Sequence, residues 1–311
     1  MVSAVAPRIT PAVPAEIAQH IAAFLRDFSI EATRPTADDL DELKSAAPGI
    51  GRIYLSAVPT RPPSDLIAFS TAVRDAGFEP IPHLAVRSIE SNDTLDDLLA
   101  RLANEAGVRR LLVIAGDSDR PKGPFPSAIE VIESGLLQRH GIMEIGIAGY
   151  PDGHPRISGD VLQRALAAKI EAARQTGLDI HIVTQFGFSA EQITNWILQL
   201  RDLGVEYQVR VGMAGPTNLA TLLRYAKRCG VVASAQGLTR QGGLLKHLVG
   251  TSAPDGIIRQ LAETGGRLGN VAAHFFSFGG VGKTARWAAA AAAGRIALDR
   301  ADGFGVEPPA A

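Results

Sequence analysis

The chain of 311 residues has a single cysteine, Cys229. One thiol excludes an intramolecular disulfide framework and any zinc or iron–sulfur centre built on several cysteines. Cys229 is expected as a small buried hydrophobe. Charge of one sign is equally scarce. Lys and Arg number 31 against 32 Asp and Glu, a net charge of -1, which leaves no basic footprint for nucleic acid. No apolar run is long enough to span a bilayer. The Ala-rich stretch 288–293 is short, ends in Gly294 and Arg295, and reads as helix. The opening MVSAVAPRITPAVPAE has one Arg and three prolines and no signal-peptide apolar core. A soluble cytoplasmic protein is expected, with no nucleic-acid or membrane partner. Three motifs are also missing: the G-x-G-x-x-G turn of a dinucleotide fold, the G-x-S-x-G elbow of a serine hydrolase, and any H-x-H or H-E-x-x-H spacing for a metal. His83, Asp117, Asp152 and His154 are the side chains that offer metal ligands, but without such spacing no metal is expected.

What is present is ordinary globular material, 46% hydrophobic and 20% charged. A helix pattern over 14–27 places Ile17, Ile21, Phe24 and Leu25 on one stripe. Strand patterns then follow at 28–32, 52–57, 79–86, 109–117, 145–148, 179–185, 207–215 and 270–278. Helix patterns separate them at 36–46, 64–76, 94–106, 127–137, 159–175, 189–203 and 218–227. A mainly helical stretch is expected over 231–268, and a last helix over 284–299. The strands are apolar without clean alternation, which predicts a parallel sheet buried on both faces. Eight strand–helix units about 30 residues apart predict a (β/α)8 TIM barrel, one domain over 1–311 with a helix ahead of the first strand. A doubly wound open sheet is the alternative.

Chemistry in such a barrel gathers at the carboxyl ends of its strands. Read in order, those ends supply Glu31, Ser56, His83, Asp117, Tyr150 with Asp152 and His154, Gln185, Arg210 and Ser277. The fifth strand runs into GYPDGHP, a Pro- and Gly-punctuated loop that hangs a phenol, a carboxylate and an imidazole off a buried strand. One motif competes. GGVGKT over 279–284 has the look of a phosphate-binding loop and sits between a strand and a helix. The first glycine of the standard motif would fall on Ser277, so that motif fails. A milder expectation is a phosphate grip after the last strand, with Lys283 serving it.

Several of these elements resemble the methylenetetrahydrofolate reductase family. AGYPDGHP is similar to that family's A-x-Y-P-E-x-H-P loop, and IEATRP to its F-E-F-x-P-P element. PHLAVR resembles P-H-L-T-C, IAGD resembles L-R-G-D, VTQFGF resembles I-T-Q-F-F-F, and HFFSF resembles H-F-Y-T. The six occur in family order over 30–278. The resemblance implies a (β/α)8 barrel that binds FAD and reduces 5,10-methylenetetrahydrofolate to 5-methyltetrahydrofolate with NAD(P)H by ping-pong hydride transfer. It further implies a cytoplasmic homo-oligomer working in one-carbon metabolism and methionine biosynthesis. By this resemblance Glu31 is the proton-supplying carboxylate and Asp117 the aspartate beside flavin and pterin. Gln185 binds the pterin, and Leu219 stands where the family has an aromatic clamp over the folate. Ser56, His83, Gly116, Asp117, Tyr150, His154 and Lys169 match flavin-contacting positions. The chain departs from the family at Ala115, which replaces an arginine, and at Thr33–Arg34, which replaces an aromatic–proline pair. It departs again at Gly279–Gly280, where a further arginine is lost. A flavin-free tetrahydrofolate-dependent transfer or demethylation enzyme on the same barrel is the alternative activity.

Overall fold

The computed structural model describes residues 14–58, 61–229, 231, 252–264, 266–299 and 302–307. Eight strands close into a barrel in chain order. They are β1 Ser29–Ala32, β2 Arg52–Leu55, β3 Glu79–Ala85, β4 Arg110–Ile114, β5 Glu144–Gly149, β6 Asp179–Thr184, β7 Val209–Ala214 and β8 Val271–Phe276. Every neighbouring pair is parallel, and β1 closes the ring against β8. Seven barrel strands fall inside stretches expected as strand, and β5 extends one residue beyond the expected 145–148 at each end.

Helices fill the connections: α1 Pro14–Leu25 ahead of β1, then α2 Ala37–Ala46, α3 Pro63–Asp75, α4 Asn92–Glu105, α5 Ala128–Glu133, α6 Leu136–Arg139, α7 Gly159–Thr176, α8 Ala190–Asp202, α9 Leu219–Arg228, α10 Asp255–Ala262 and α11 Val281–Ala292. Their starts are chemical. Thr36 and Asp39 form a reciprocal capping box at α2, as do Ser127 and Glu130 at α5, each satisfying backbone donors that the first turn leaves unpaired. The stripe Ile17, Ile21, Phe24 and Leu25 of α1 is buried as expected.

The structure differs from expectation in four places. The helix expected over 127–137 is broken in two, because Gly135 takes a left-handed conformation at φ 73°. The helix expected over 284–299 starts at Val281 and stops at Ala292, ahead of Gly294 at φ 73°. The chain then forms an antiparallel hairpin of β9 Ile296–Leu298 and β10 Phe304–Val306, with Phe304 stacked on Trp287 at 5.7 Å. Of the helical stretch expected over 231–268, residues 232–251 and 265 lie outside the described residues, and 255–262 is helix. The fourth difference concerns Arg210, which does not stand at the carboxyl end of its strand. It is the second residue of β7, fully buried, and pairs with Asp27 just ahead of β1. That is the amino-terminal face of the barrel.

Strand pairing puts register partners on the same face. Tyr54, Ile81, Leu112 and Val183 form a small apolar cluster of their own, apart from the main core. Polar side chains share this interior: Ser29, His83, His181, Arg210 and His274 are all buried. Tyr54 sits among the three imidazoles, edge-on to each, with His274 nearest at 4.6 Å between ring centroids. Its hydroxyl lies 2.7 Å from His181 Nε2. Gly146 makes the room. A Cβ there would come within 2.8 Å of His181 Nε2 and 2.9 Å of Leu112 Cδ1.

Candidate active site

Glu31 is the third residue of β1, and its side chain is 12% exposed. Ser56 Oγ donates to Oε1 at 2.6 Å. On the other oxygen, Oε2, His274 Nε2 approaches to 3.4 Å and His83 Nε2 to 3.5 Å. Burial pushes this carboxyl up, but the two histidines and the Ser56 hydroxyl together hold it below the usual carboxylate value. Burial also depresses both imidazoles, against the pull of Glu31. The cluster is therefore a carboxylate between neutral imidazoles. Ser277 Oγ donates to the Glu31 carbonyl at 2.6 Å, tying β1 to the end of β8.

Two cavities open beside this group. The first, of about 480 Å³, lies over the ends of β2, β3 and β4 and is lined by Ser56, His83, Gly116 and Asp117. Arg34, Arg61, Arg87 and Lys122 give it a cationic wall, with Asp65 and Glu90 among them. Gly116 stands at φ 86°, and a Cβ there would meet Ala85 Cβ at 2.9 Å. Glycine thus lets the chain turn sharply into Asp117. The second cavity, of about 270 Å³, is lined by Glu31, Arg34, Phe276, Phe278 and Tyr225. Tyr225 stacks on Phe278 at 4.0 Å with 9° between planes. Arg34 borders both cavities.

The GYPDGHP loop carries Tyr150 and His154 edge-to-face, 5.5 Å apart. Arg156 N donates to His154 Nδ1 at 3.2 Å, so the proton of the neutral ring is on Nε2. Burial and, after it, the Asp117 charge push the Tyr150 phenol up. Burial and Arg156 lower His154, which Asp117 partly offsets. Tyr150, His154 and Asp117 are therefore electrostatic neighbours. Asp152 packs at the next loop, where a Cβ on Gly187 would come within 2.9 Å of its Oδ2. Lys169 reaches from α7 toward the Ala148 carbonyl at 3.5 Å, and burial lowers its ammonium to about 8. Gln185 N donates to the Gly149 carbonyl at 2.9 Å, and its Oε1 accepts from Phe186 N at 3.1 Å. Tyr150, His154, Lys169, Gln185 and Leu219 line neither cavity.

Sequence reasoning missed several of the residues gathered here. His181 and His274 lie in quoted motifs or strands but received no role, and Tyr54, Tyr225 and Phe278 were passed over. The missing signal was parity along the strand. Ser29 and Glu31, Tyr54 and Ser56, and Ile81 and His83 are two apart and share the interior face.

The GGVGKT loop is packed against neighbouring chain on two of its three glycines and borders the second cavity at the third. Thr284 is fully buried, with its hydroxyl donating to the Gly280 carbonyl at 2.8 Å. Gly279 lies against the Pro216 carbonyl, and Gly282 against Glu42, which pairs with Arg286. Gly279 and Gly282 thus admit neighbouring chain, whereas Gly280, at φ 108°, has open space where a Cβ would stand and borders the second cavity. Among the described residues no three His, Cys, Asp or Glu converge as metal ligands, and no helix is long and apolar enough to cross a membrane.

Residues 36–239 match the family model described as methylenetetrahydrofolate reductase. One similar protein is methylenetetrahydrofolate reductase 2 of Saccharomyces cerevisiae, 28% identical over 174 residues that cover 53% of this chain and 28% of the yeast protein. Another is 5,10-methylenetetrahydrofolate reductase of Pectobacterium carotovorum subsp. carotovorum, 24% identical over 201 residues, covering 61% of this chain and 63% of that one. The match thus spans less than two thirds of either relative. Among solved structures, 2,3-dimethylmalate lyase superposes with a TM-score of 0.46 and 11% identity, covering 88% of this chain and 82% of that one.

Proposed function

The chain belongs to the methylenetetrahydrofolate reductase family, and from that premise we propose that it reduces 5,10-methylenetetrahydrofolate to 5-methyltetrahydrofolate with NAD(P)H and a bound FAD. The observation that carries the proposal is Glu31, a largely enclosed carboxylate opening on one cavity and sharing His83 and Ser56 with the wall of another. The reaction needs such a group. The five-membered ring that holds the methylene bridge must open to an iminium ion before it accepts a hydride, and the nitrogen released needs a proton. Glu31 supplies it. In the ligand-free chain Glu31 is ionised, so it has to take up a proton as the site fills. Substrate over the second cavity removes the remaining water and pushes the carboxyl in that direction.

The first cavity fits the flavin. Its cationic wall suits a pyrophosphate, and Gly116 lets backbone approach a flat ring. His83 Nε2 has no hydrogen-bond partner of its own, although Glu31 is nearby. Ser56, His83, Gly116 and Asp117 would hold the group there, with Tyr150, His154 and Lys169 along the β5 side. When bound, a flavin supplies the hydride. Asp117 places a negative charge beside the cation that forms on the substrate. Gln185 hydrogen-bonds the pterin from the end of β6. Leu219 is proposed at the folate edge, but the stacked Tyr225–Phe278 pair offers the flat face in its place. We further propose one barrel domain, self-association and a cytoplasmic setting in one-carbon metabolism.

A second activity has one observation in its favour. Ala115 lines the first cavity where the family has an arginine, which removes a flavin contact and leaves room for a flavin-free, folate-dependent one-carbon transfer. Titration with FAD separates the two. The reductase binds it, turns yellow, is bleached by NADH and regains colour with methylenetetrahydrofolate. A protein that stays colourless in excess FAD ends the reductase proposal.

A further inference from the structure

A hydrogen-bonded line runs inside the barrel from its amino-terminal face to Glu31. It starts at Asp27, whose side chain is 55% exposed. Arg210 donates from Nη2 to Asp27 Oδ2 at 2.6 Å, and from Nη1 to the Asp27 carbonyl at 3.0 Å and to Ser29 Oγ at 3.2 Å. Ser29 Oγ lies 2.9 Å from His274 Nδ1. His274 Nε2 lies 3.4 Å from Glu31 Oε2.

The direction of this line follows from donor inventory. A guanidinium only donates. Ser29 Oγ therefore accepts from Arg210 and has one hydrogen left to give. Its near acceptor is His274 Nδ1; the Ala273 carbonyl is farther, at 3.5 Å. With Nδ1 accepting, a neutral His274 carries its proton on Nε2, facing the carboxylate. The opposite tautomer would aim two donors at one hydroxyl and a ring lone pair at Glu31.

We propose that Arg210, acting through Ser29, is a positioning residue that fixes His274 as the Nε2–H tautomer and thereby holds Glu31 as an oriented carboxylate. The functional part rests on the proton-supplying role given to Glu31 above. Other groups face this pair as well. His83 approaches the same Glu31 oxygen from β3, and Ser56 donates to the other from β2. The Tyr54 ring packs on His274, and a positive charge on His83 or His181 would oppose its protonation. Burial, the largest influence on His274, also favours the neutral ring.

Nitrogen-15 NMR of the histidines in the ligand-free full chain tests this, with His274→Gln to assign the signals. The wild type should show His274 Nδ1 bare and Nε2 protonated. Ser29→Ala should give a tautomer mixture and raise the Glu31 titration midpoint by about one pH unit, the scale set by loss of one hydrogen bond to the charged form. Ser29→Thr, which keeps the hydroxyl, should restore both. A wild-type Nδ1–H tautomer, or an unchanged tautomer in Ser29→Ala, overturns the proposal. The wild-type spectrum decides even where a variant folds poorly. None of these measurements needs flavin or folate. A chain without reductase turnover would sink the proposed reaction while leaving the tautomer result standing. In an active enzyme, Ser29→Ala should also move the pH profile of kcat, which a packing defect alone would not do.

Discussion

At position 31 burial is opposed by the pull of His83 and by the contacts from His274 and Ser56, and together these win. Replacing Glu31 with Gln keeps the size and the Ser56 contact but removes the transferable proton. Turnover should fall by about 10²–10⁴-fold, the usual worth of a positioned acid, while folate binding stays within a few fold. Steady-state kinetics beside a binding titration checks both. Lys169 is the reverse case, a charge held where it is costly. Its ammonium, lowered to about 8 by burial, still carries its charge at neutral pH in the ligand-free chain. Lys169→Met should therefore stabilise that chain by about 1–2 kcal/mol and weaken FAD binding. Denaturant melts and flavin titration give the two readings. A variant both less stable and unchanged in flavin affinity would remove Lys169 from the site.

Along the elements, the strands and most helices are legible because their signals are local. Thr36 with Asp39 and Ser127 with Glu130 announce helix starts, and apolar runs announce buried strands. What the sequence leaves unread depends on direction. Arg210 was expected at the ligand end of β7, but it is the strand's second residue and its guanidinium is drawn down to Asp27. The end of the last helix was misread because Ala continues a helix well, whereas Gly294 and the Phe304–Trp287 stack turn the chain back. The short apolar run of β5 hides Gly146, whose missing side chain is the space His181 occupies. Gly146→Ala should cost about 1–3 kcal/mol by overpacking and push His181 from the Tyr54 hydroxyl. Thermal melting gives the cost, and the His181 ring signal gives the displacement. The strand-end positions of Glu31, Asp117, Tyr150 and His154, the candidate site residues, were legible through motif order. The imidazoles around Tyr54 were not, since their meeting depends on closure of the barrel.

Taken whole, the molecule carries charge on the amino-terminal face of the barrel, opposite the candidate site. Asp27 meets Arg52 and Arg210, while Arg110 bridges Glu79 and Glu144. Glu144 also lies 3.0 Å from His181 Nδ1, and the His181 contact, then Arg110, bring it from 4.5 down to about 2. A carboxyl depressed on folding contributes its stability above the unfolded value and loses it as pH falls toward the folded one. Acid unfolding should thus steepen between pH 4.5 and about 2. Glu144→Gln should flatten that limb and cost roughly 1–3 kcal/mol at neutral pH, as read from melts across the pH series.

The ring is closed by β1 against β8, and Ser29 and His274, which touch inside it, are 245 residues apart in sequence. A ribosome adding about 5–20 residues per second leaves β1 with one edge unpaired for roughly 12–50 seconds. For that interval the first strand of a new chain is a sticky edge without its final neighbour, and the pocket that orients Glu31 does not yet exist. The newborn chain thus has no closed barrel until β8 emerges, and its exposure to aggregation and to chaperones is set by the speed of translation.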